Sequence, residues 1–130
     1  MPKYEELQGK AGIVTGAGRG IGKAIAQRLA SEGVAVVITD IDGSTAEAAA
    51  AEINGANNKA IGLKVDVTKK EDIEKMIDET INAFGQLDIL VNNAGIMAWD
   101  LARTSEGYEL QFATNHFGHF LFTGLLVPAL

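Results

Sequence analysis

The stretch Ala11-Gly12-Ile13-Val14-Thr15-Gly16-Ala17-Gly18-Arg19-Gly20-Ile21-Gly22 joins a short apolar run to a glycine-rich loop, and the loop opens directly into a helical pattern. Ile21, Ala24, Ile25 and Leu29 recur at helical spacing, and Gly33 suits the position just past a helix end. A strand-to-helix turn without Cβ atoms lets backbone N–H groups approach an anion such as a pyrophosphate, and the helix start adds partial positive charge. The plain alternative is a glycine-rich turn with no ligand. A P-loop does not fit, because Ala17 stands where its first glycine belongs and Ala24 follows Lys23 where a magnesium-binding hydroxyl is needed. The pattern G-x-G-x-x-G also fails, since Ile21 takes the third glycine's place when counting starts at Gly16. What remains is Gly16, Gly20 and Gly22 at G-x-x-x-G-x-G spacing.

Outward from this stretch, β-branched or apolar runs return at 34–39, 60–65 and 87–91, and most are nearly continuous in apolar residues, as in strands buried on both faces. Ser44 and Glu47 read as a capping box for a second helix, which carries an alanine run and stops at Asn54-Gly55. Thr68 and Glu71 read the same way for a third helix, expected to bury Ile73, Met76, Ile77, Ile81 and Phe84 and to stop at Gly85. After a polar stretch from Trp99 to Thr104, a long helical segment is expected over 105–127. Repeated β-α units of this length imply parallel strands joined by right-handed crossovers. The expected fold class is α/β: a Rossmann-like parallel sheet of four β-α units in strand order 3-2-1-4, half of a doubly wound fold, as a single domain over 1–130.

The 130 residues are 47% hydrophobic and 22% charged, an ordinary globular composition that argues against disorder, coiled coil or collagen. A net charge of −6 disfavours nucleic acid or an anionic membrane surface as the main partner. The absence of cysteine removes disulfide scaffolds, thiolate metal sites and cysteine nucleophiles. The first residues lack the apolar core of a secretion signal, and no run approaches the roughly 20 apolar residues of a membrane span, so a cytoplasmic protein is expected.

Asp40 closes the second run, where a dinucleotide fold places the carboxylate that accepts hydrogen bonds from the adenosine ribose, and Ile41 beside it joins the candidate adenosine side. The alternative for Asp40 is a helix-capping role, which Asp42 fits better. A carboxylate at this place repels a 2′-phosphate, so NAD is expected over NADP; Arg19 in the loop pulls mildly the other way.

With these residues in view, the chain resembles the short-chain dehydrogenase/reductase family, in its classical branch, over essentially its whole length. Thr15-Gly-Ala-Gly-Arg-Gly-Ile-Gly22 looks like the family's cofactor loop, which implies cofactor contacts from Gly16, Gly18, Arg19, Gly20, Ile21 and Gly22. Asp66 and Val67 look like its adenine contact after the third strand, and Asn92-Asn93-Ala94-Gly95 like its motif after the fourth. By that resemblance Asn93, Ala94 and Gly95 help line the ribose and steady the sheet; for Asn92, cofactor contact and a purely structural role stay equally open. Asn115 looks like the family's helix-borne asparagine, which supports a proton relay, and is the one catalytic candidate present. Asparagine is a poor helix former, so its mid-helix place calls for a reason. The segment 109–121 resembles the retinol-dehydrogenase-like members more than the bacterial reductases that the first 95 residues resemble. His116 and His119 lie three apart on it, but with no third ligand evident no metal site is assigned.

The family transfers hydride between a nicotinamide and a carbonyl or alcohol carbon, using a Tyr-x-x-x-Lys pair and an upstream serine. That pair is missing from these residues: Tyr4 is followed four positions on by Gln8, and Tyr108 by Phe112. The resemblance therefore implies the NAD-binding first half of such an oxidoreductase, truncated and inactive alone. A non-catalytic interaction or regulatory module and an engineered half-domain stay open. The expected partners are a weakly bound dinucleotide and a second copy of the chain, docked through the final helix, the fourth-strand edge, or both. Phe112, Phe117, Phe120, Leu121, Phe122, Leu125 and Leu126 spread around much of that helix, more than one sheet face can cover.

Overall fold

A computed structural model describes residues 3–95 and 101–128. Strands β1 (Ala11–Thr15), β2 (Ala35–Asp40), β3 (Ala60–Lys64) and β4 (Ile89–Val91) alternate with helices α1 (Gly20–Ser31), α2 (Gly43–Gly55) and α3 (Lys70–Phe84). All pairings are parallel and the strand order is β3-β2-β1-β4, so the Rossmann-like sheet order expected from the sequence is the one observed. Ile13 on β1 lies opposite Val37 on β2 and Leu90 on β4.

Alternation along β1 and β2 divides the core between two faces. Val14, Val36 and Ile38 pack with Ala26 and Ala30 of α1 and with Ala46, Ala49 and Ile53 of α2. Ile13 and Val37 pack on the opposite side with Ile73 and Met76 of α3 and with Phe122 and Leu126 of the last helix. The central strands are therefore covered twice, which is why they read as nearly unbroken apolar runs.

The alanine run of α2 does more than favour helix. Gly62 on β3 has its missing Cβ aimed at the Ala46 carbonyl and 2.6 Å from Glu47 N, so small residues on both sides bring helix and strand backbones together. Asn54 closes the same unit: its side-chain amide donates to the Ala60 carbonyl (2.9 Å) and accepts from Ala60 N–H (2.8 Å).

The helix starts differ from their sequence reading. Asp42, not Ser44, caps α2, accepting from the N–H groups of Ser44 (3.0 Å) and Thr45 (3.4 Å). The residue before α3 is Lys69, with no side-chain cap; Thr68 instead turns back and donates its hydroxyl to Asp66. Both errors have one physical origin, since Asp side chains compete with Ser and Thr for the same backbone donors. β2 begins at Ala35 because Val34 N–H is bonded to the Leu29 carbonyl at the end of α1. On α3, Thr80 is buried, donating its hydroxyl to the Met76 carbonyl (2.8 Å), while the neighbouring Ile81 is 37% exposed and not in the core. The helix ends agree with the reading at Gly33 (φ +90°) and Gly85 (φ +74°). Glu32, just past α1, is buried. Burial acts to raise its pKa, but the N–H groups of Tyr4 and Lys3 and the Arg28 guanidinium outweigh it and hold the carboxyl below its ordinary range.

The final segment is not one helix from Ser105. Thr104 and Tyr108 close a turn, the backbones of Arg103 and Glu109 pair in an isolated antiparallel β-bridge, and Gly107 takes φ +91°. Helix α4 (Leu110–Phe112) starts on Glu109, whose carboxylate accepts from Gln111 N–H (3.1 Å) and Phe112 N–H (2.8 Å). A π-helical stretch, Ala113–Gly118, leads into α5 (His119–Leu126). There Gly118 packs its backbone against the Val67 carbonyl, which a Cβ would meet at 2.6 Å. Phe122 and Leu126 are fully buried and Leu125 is packed against them, whereas Phe112 and Phe120 are exposed. The side chain of Phe117 lies outside the described residues, as do Trp99 and Asp100 of the polar stretch. Among the described residues no helix is long and apolar enough to cross a membrane.

The close contact of β3 with α2 gives a stability test. Gly62→Ala is expected to cost about 1–3 kcal/mol through overpacking against helix backbone, whereas Gly55→Ala, with open space around its missing Cβ, is expected to be neutral or to stabilise by up to about 1 kcal/mol. Urea midpoints of the two variants check the contrast.

Candidate functional site

Because the strands are parallel, their carboxyl ends share one edge of the sheet, and the helix cover changes face between β1 and β4. A crevice at such a switch point is where open α/β sheets bind ligands. Thr15, at the end of β1, ties this edge together. Its hydroxyl donates to the Val91 carbonyl (3.4 Å) and accepts from the N–H groups of Asn93 (3.0 Å) and Ala94 (2.9 Å). Asn93 returns the connection, its amide donating to the carbonyls of Thr15 (3.1 Å) and Gly16 (3.2 Å).

The glycines of the loop divide the work. Gly16 has φ +61°, and a Cβ there would lie 2.7 Å from Ala94 Cα. Gly22 is blocked by the Gly16 carbonyl and by Asn93 Nδ2, so these two glycines serve the close approach of loop, α1 and β4. Gly20 has φ +60° with nothing near its missing Cβ, a conformational need alone. Arg19 precedes α1 in an extended conformation and makes no side-chain cap. The first-turn N–H groups of α1 at Gly20, Ile21 and Gly22 have no carbonyl within the helix to bond. Uncapped donors beside a loop without Cβ atoms suit an anionic group.

Asp40 sits at the end of β2, 8% exposed. One carboxylate oxygen accepts from Gly18 N–H (3.1 Å) and the other from Asp42 N–H (3.1 Å), so the side chain fixes the glycine loop from its β2 side. A Cβ on Gly18 would strike the Thr45 hydroxyl. The Ser44 hydroxyl, the Thr45 N–H and, more weakly, Arg19 hold the neighbouring Asp42 carboxyl below its ordinary range. Ile21 and Ile41 are exposed beside the loop and Asp40, at 77% and 64%.

Asp66 follows β3. Its carboxylate accepts from Thr68 N–H (2.9 Å) and from the Thr68 hydroxyl (2.6 Å), while its own N–H donates to Asp72 (2.9 Å). The Val67 side chain is buried in the α3 and α5 core, so its backbone is what remains for the crevice. Asn92 donates to the Thr123 hydroxyl on α5 (3.0 Å), tying the end of β4 to that helix. Asn115 lies in the π-helical stretch, with its side-chain oxygen 3.2 Å from where a Cβ on Gly95 would stand. π-helical turns recur at functional sites, and here one carries the asparagine that an α-helix disfavours.

His116 and His119 part company. His116 stacks on Phe112 with ring centroids 5.2 Å apart, and Phe120 lies beyond it at 6.4 Å. His119 directs Nε2 at the Ala94 carbonyl (2.6 Å), and its Nδ1 is buried with no hydrogen-bond partner among the described residues. The sequence reading missed Thr15, Thr123 and this role of His119. A signal existed, since Asn115, His119 and Thr123 are spaced by four and share one helix stripe.

The sequence pattern of the short chain dehydrogenase family matches residues 10–130. This chain belongs to that family. Short chain dehydrogenases are oxidoreductases that usually bind nicotinamide dinucleotides. Human retinol dehydrogenase 12 is 39% identical over 96% of the chain and 40% of its own length. Human retinol dehydrogenase 13 is 38% identical over 99% and 40%. A 3-oxoacyl-acyl-carrier-protein reductase of Aquifex aeolicus is 49% identical over 70% of the chain and 37% of its own length. The chain thus spans about 40% of the length of the curated relatives it matches.

The Thr15 hydroxyl is testable apart from any ligand. Thr15→Val keeps the volume but leaves two backbone N–H groups without their acceptor, at an expected cost of about 1–3 kcal/mol; Thr15→Ser is expected to restore most of it. Denaturant midpoints of both variants provide the comparison.

Proposed function

We propose that these residues form the adenosine-side half of a dinucleotide site, that the site prefers NAD(H) to NADP(H), and that the protein they serve transfers hydride to or from a carbonyl or alcohol carbon. The observation that carries the preference is Asp40, a nearly buried carboxylate fixed beside the glycine loop. The residues fit the group: the open space at Gly20, the uncapped start of α1 and an acceptor at the end of β2 match pyrophosphate and ribose. A 2′-phosphate brought to Asp40 would set like charges together. When bound, the nicotinamide supplies the hydride acceptor or donor. Gly20 to Gly22 bind the pyrophosphate, Asp40 orients the ribose, Asp66 and Val67 border the adenine, and Asn93 to Gly95 with Asn115 border the far end. Since neither tyrosine has a lysine four residues on, the reading assigns binding rather than turnover to these 130 residues.

Titration calorimetry is the test. NADH is expected to bind more tightly than NADPH, and Asp40→Ala to weaken NADH about tenfold, the loss of hydrogen bonds to a charged acceptor, while narrowing the gap to NADPH. Equal affinities in the parent protein, or an Asp40→Ala variant that still excludes NADPH, would overturn the preference.

We further propose that a second copy covers the outer face of α5. Phe120 is 75% exposed and Val127 63%, and beside them β4 pairs only with β1 among the described residues. An apolar patch next to an open strand edge suits a closed two-fold pair. Light scattering is expected to give twice the 13.7 kDa chain mass, and Phe120→Glu to return the monomer. A 13.7 kDa species persisting at high concentration would sink the dimer.

A further inference from the structure

We propose that His119 is a positioning residue for the dinucleotide crevice: its Nε2–H holds the Ala94 carbonyl and so fixes Ala94 and Gly95 between the glycine loop and Asn115. The inference rests on the dinucleotide reading of the site.

Ala94 is gripped from three sides. Its N–H donates to the Thr15 hydroxyl (2.9 Å), its Cα fills the space that Gly16 leaves open, and its carbonyl accepts from His119 (2.6 Å). The first two contacts come from β1 and its loop, and only the third comes from α5, the helix entered through the Asn115 turn. Gly95 follows with no side chain of its own, beside the Asn115 oxygen, so its path depends on how the Ala94 peptide is held. A carbonyl partner requires a proton on Nε2, and Nδ1 is buried with no hydrogen-bond partner among the described residues. Among the described residues the ring makes one directed hydrogen bond, and that bond points at the site. One turn further along α5, Thr123 accepts from Asn92, so the helix is already docked to the end of β4 without His119. His119 is therefore available for local placement rather than for holding the helix.

The test separates placement from folding by using two ligands. NADH spans the crevice, whereas AMP reaches only the side formed by the loop, Asp40 and Asp66. In the 130-residue chain, His119→Leu is expected to weaken NADH about fivefold to tenfold, the range of one hydrogen bond, and to leave AMP within about twofold. His119→Gln carries an amide donor where Nε2 stood and is expected to recover most of the NADH affinity. Hydrogen exchange over 92–95 should quicken in His119→Leu and stay near the parent rate in His119→Gln. Unchanged NADH binding in His119→Leu overturns the proposal, as do equal losses for NADH and AMP, or a glutamine variant no better than leucine. A parent protein that binds neither ligand overturns the dinucleotide reading instead. The anchor itself is then judged on exchange, where an unchanged rate over 92–95 in His119→Leu overturns it.

Discussion

The approach of the Gly16 backbone to Ala94, across the ends of β1 and β4, is the constraint on which the rest of the structure depends. With 2.7 Å between Ala94 Cα and the place a Gly16 Cβ would take, no other residue type fits at position 16. The approach is held by the Thr15 hydroxyl and the Asn93 amide, which link each strand end to the other's backbone. Neighbouring parallel strands need only backbone pairing to run side by side; these side chains add a lock at the edge where the two helix layers diverge. The loop must then leave β1 at one angle, which sets the start of α1 and places Gly18 against Asp40. The crevice follows from that packing.

Much of this was legible in the sequence because it rests on features that leave no alternative. The nearly continuous apolar run at 34–39 needs cover on both faces, and the glycine-rich stretch after β1 marks a tight strand-to-helix turn. The strand order and the place of the loop follow from those. What the sequence concealed was the choice among equivalent donors. Ser44 and Thr68 have the spacing of helix caps, yet Asp42 and Asp66 stand two residues earlier and accept more strongly, so the carboxylates take the turns. The late start of the final helix was hidden for a similar reason: Gly107 and the Glu109 carboxylate define a turn and a cap inside a stretch whose apolar spacing reads as helix.

The site was half legible. Gly16 to Gly22, Asp40 and Asn93 gather at the carboxyl edge of the sheet, and their contacts show that several serve the protein before any ligand. Gly16 and Gly22 are spent on packing, Asn93 on carbonyls, and Val67 on the core. His119 escaped notice because its partner is a backbone carbonyl, and a motif read from side-chain types says nothing about carbonyls. Its stripe on the helix was visible, but the π-helical turn at Ala113–Gly118 decides which way that stripe faces.

Asp40 has a structural duty that is compatible with the ligand-facing one proposed for it. Both oxygens already accept a backbone N–H, one from the loop and one from the start of α2. An ionised carboxylate has about four lone-pair directions, so two remain for ribose hydroxyls without releasing either backbone donor. On the proposed reading the loop hydrogen bond can therefore persist when a ligand arrives, with no reorganisation energy spent on it. The same bonds fix the carboxylate close to the loop, and a 2′-phosphate brought to the proposed site could not push it aside without freeing Gly18 and Asp42 N–H together. On the proposed reading, discrimination at this position would come from rigidity as much as from charge, because a mobile carboxylate could swing into solvent and escape the repulsion.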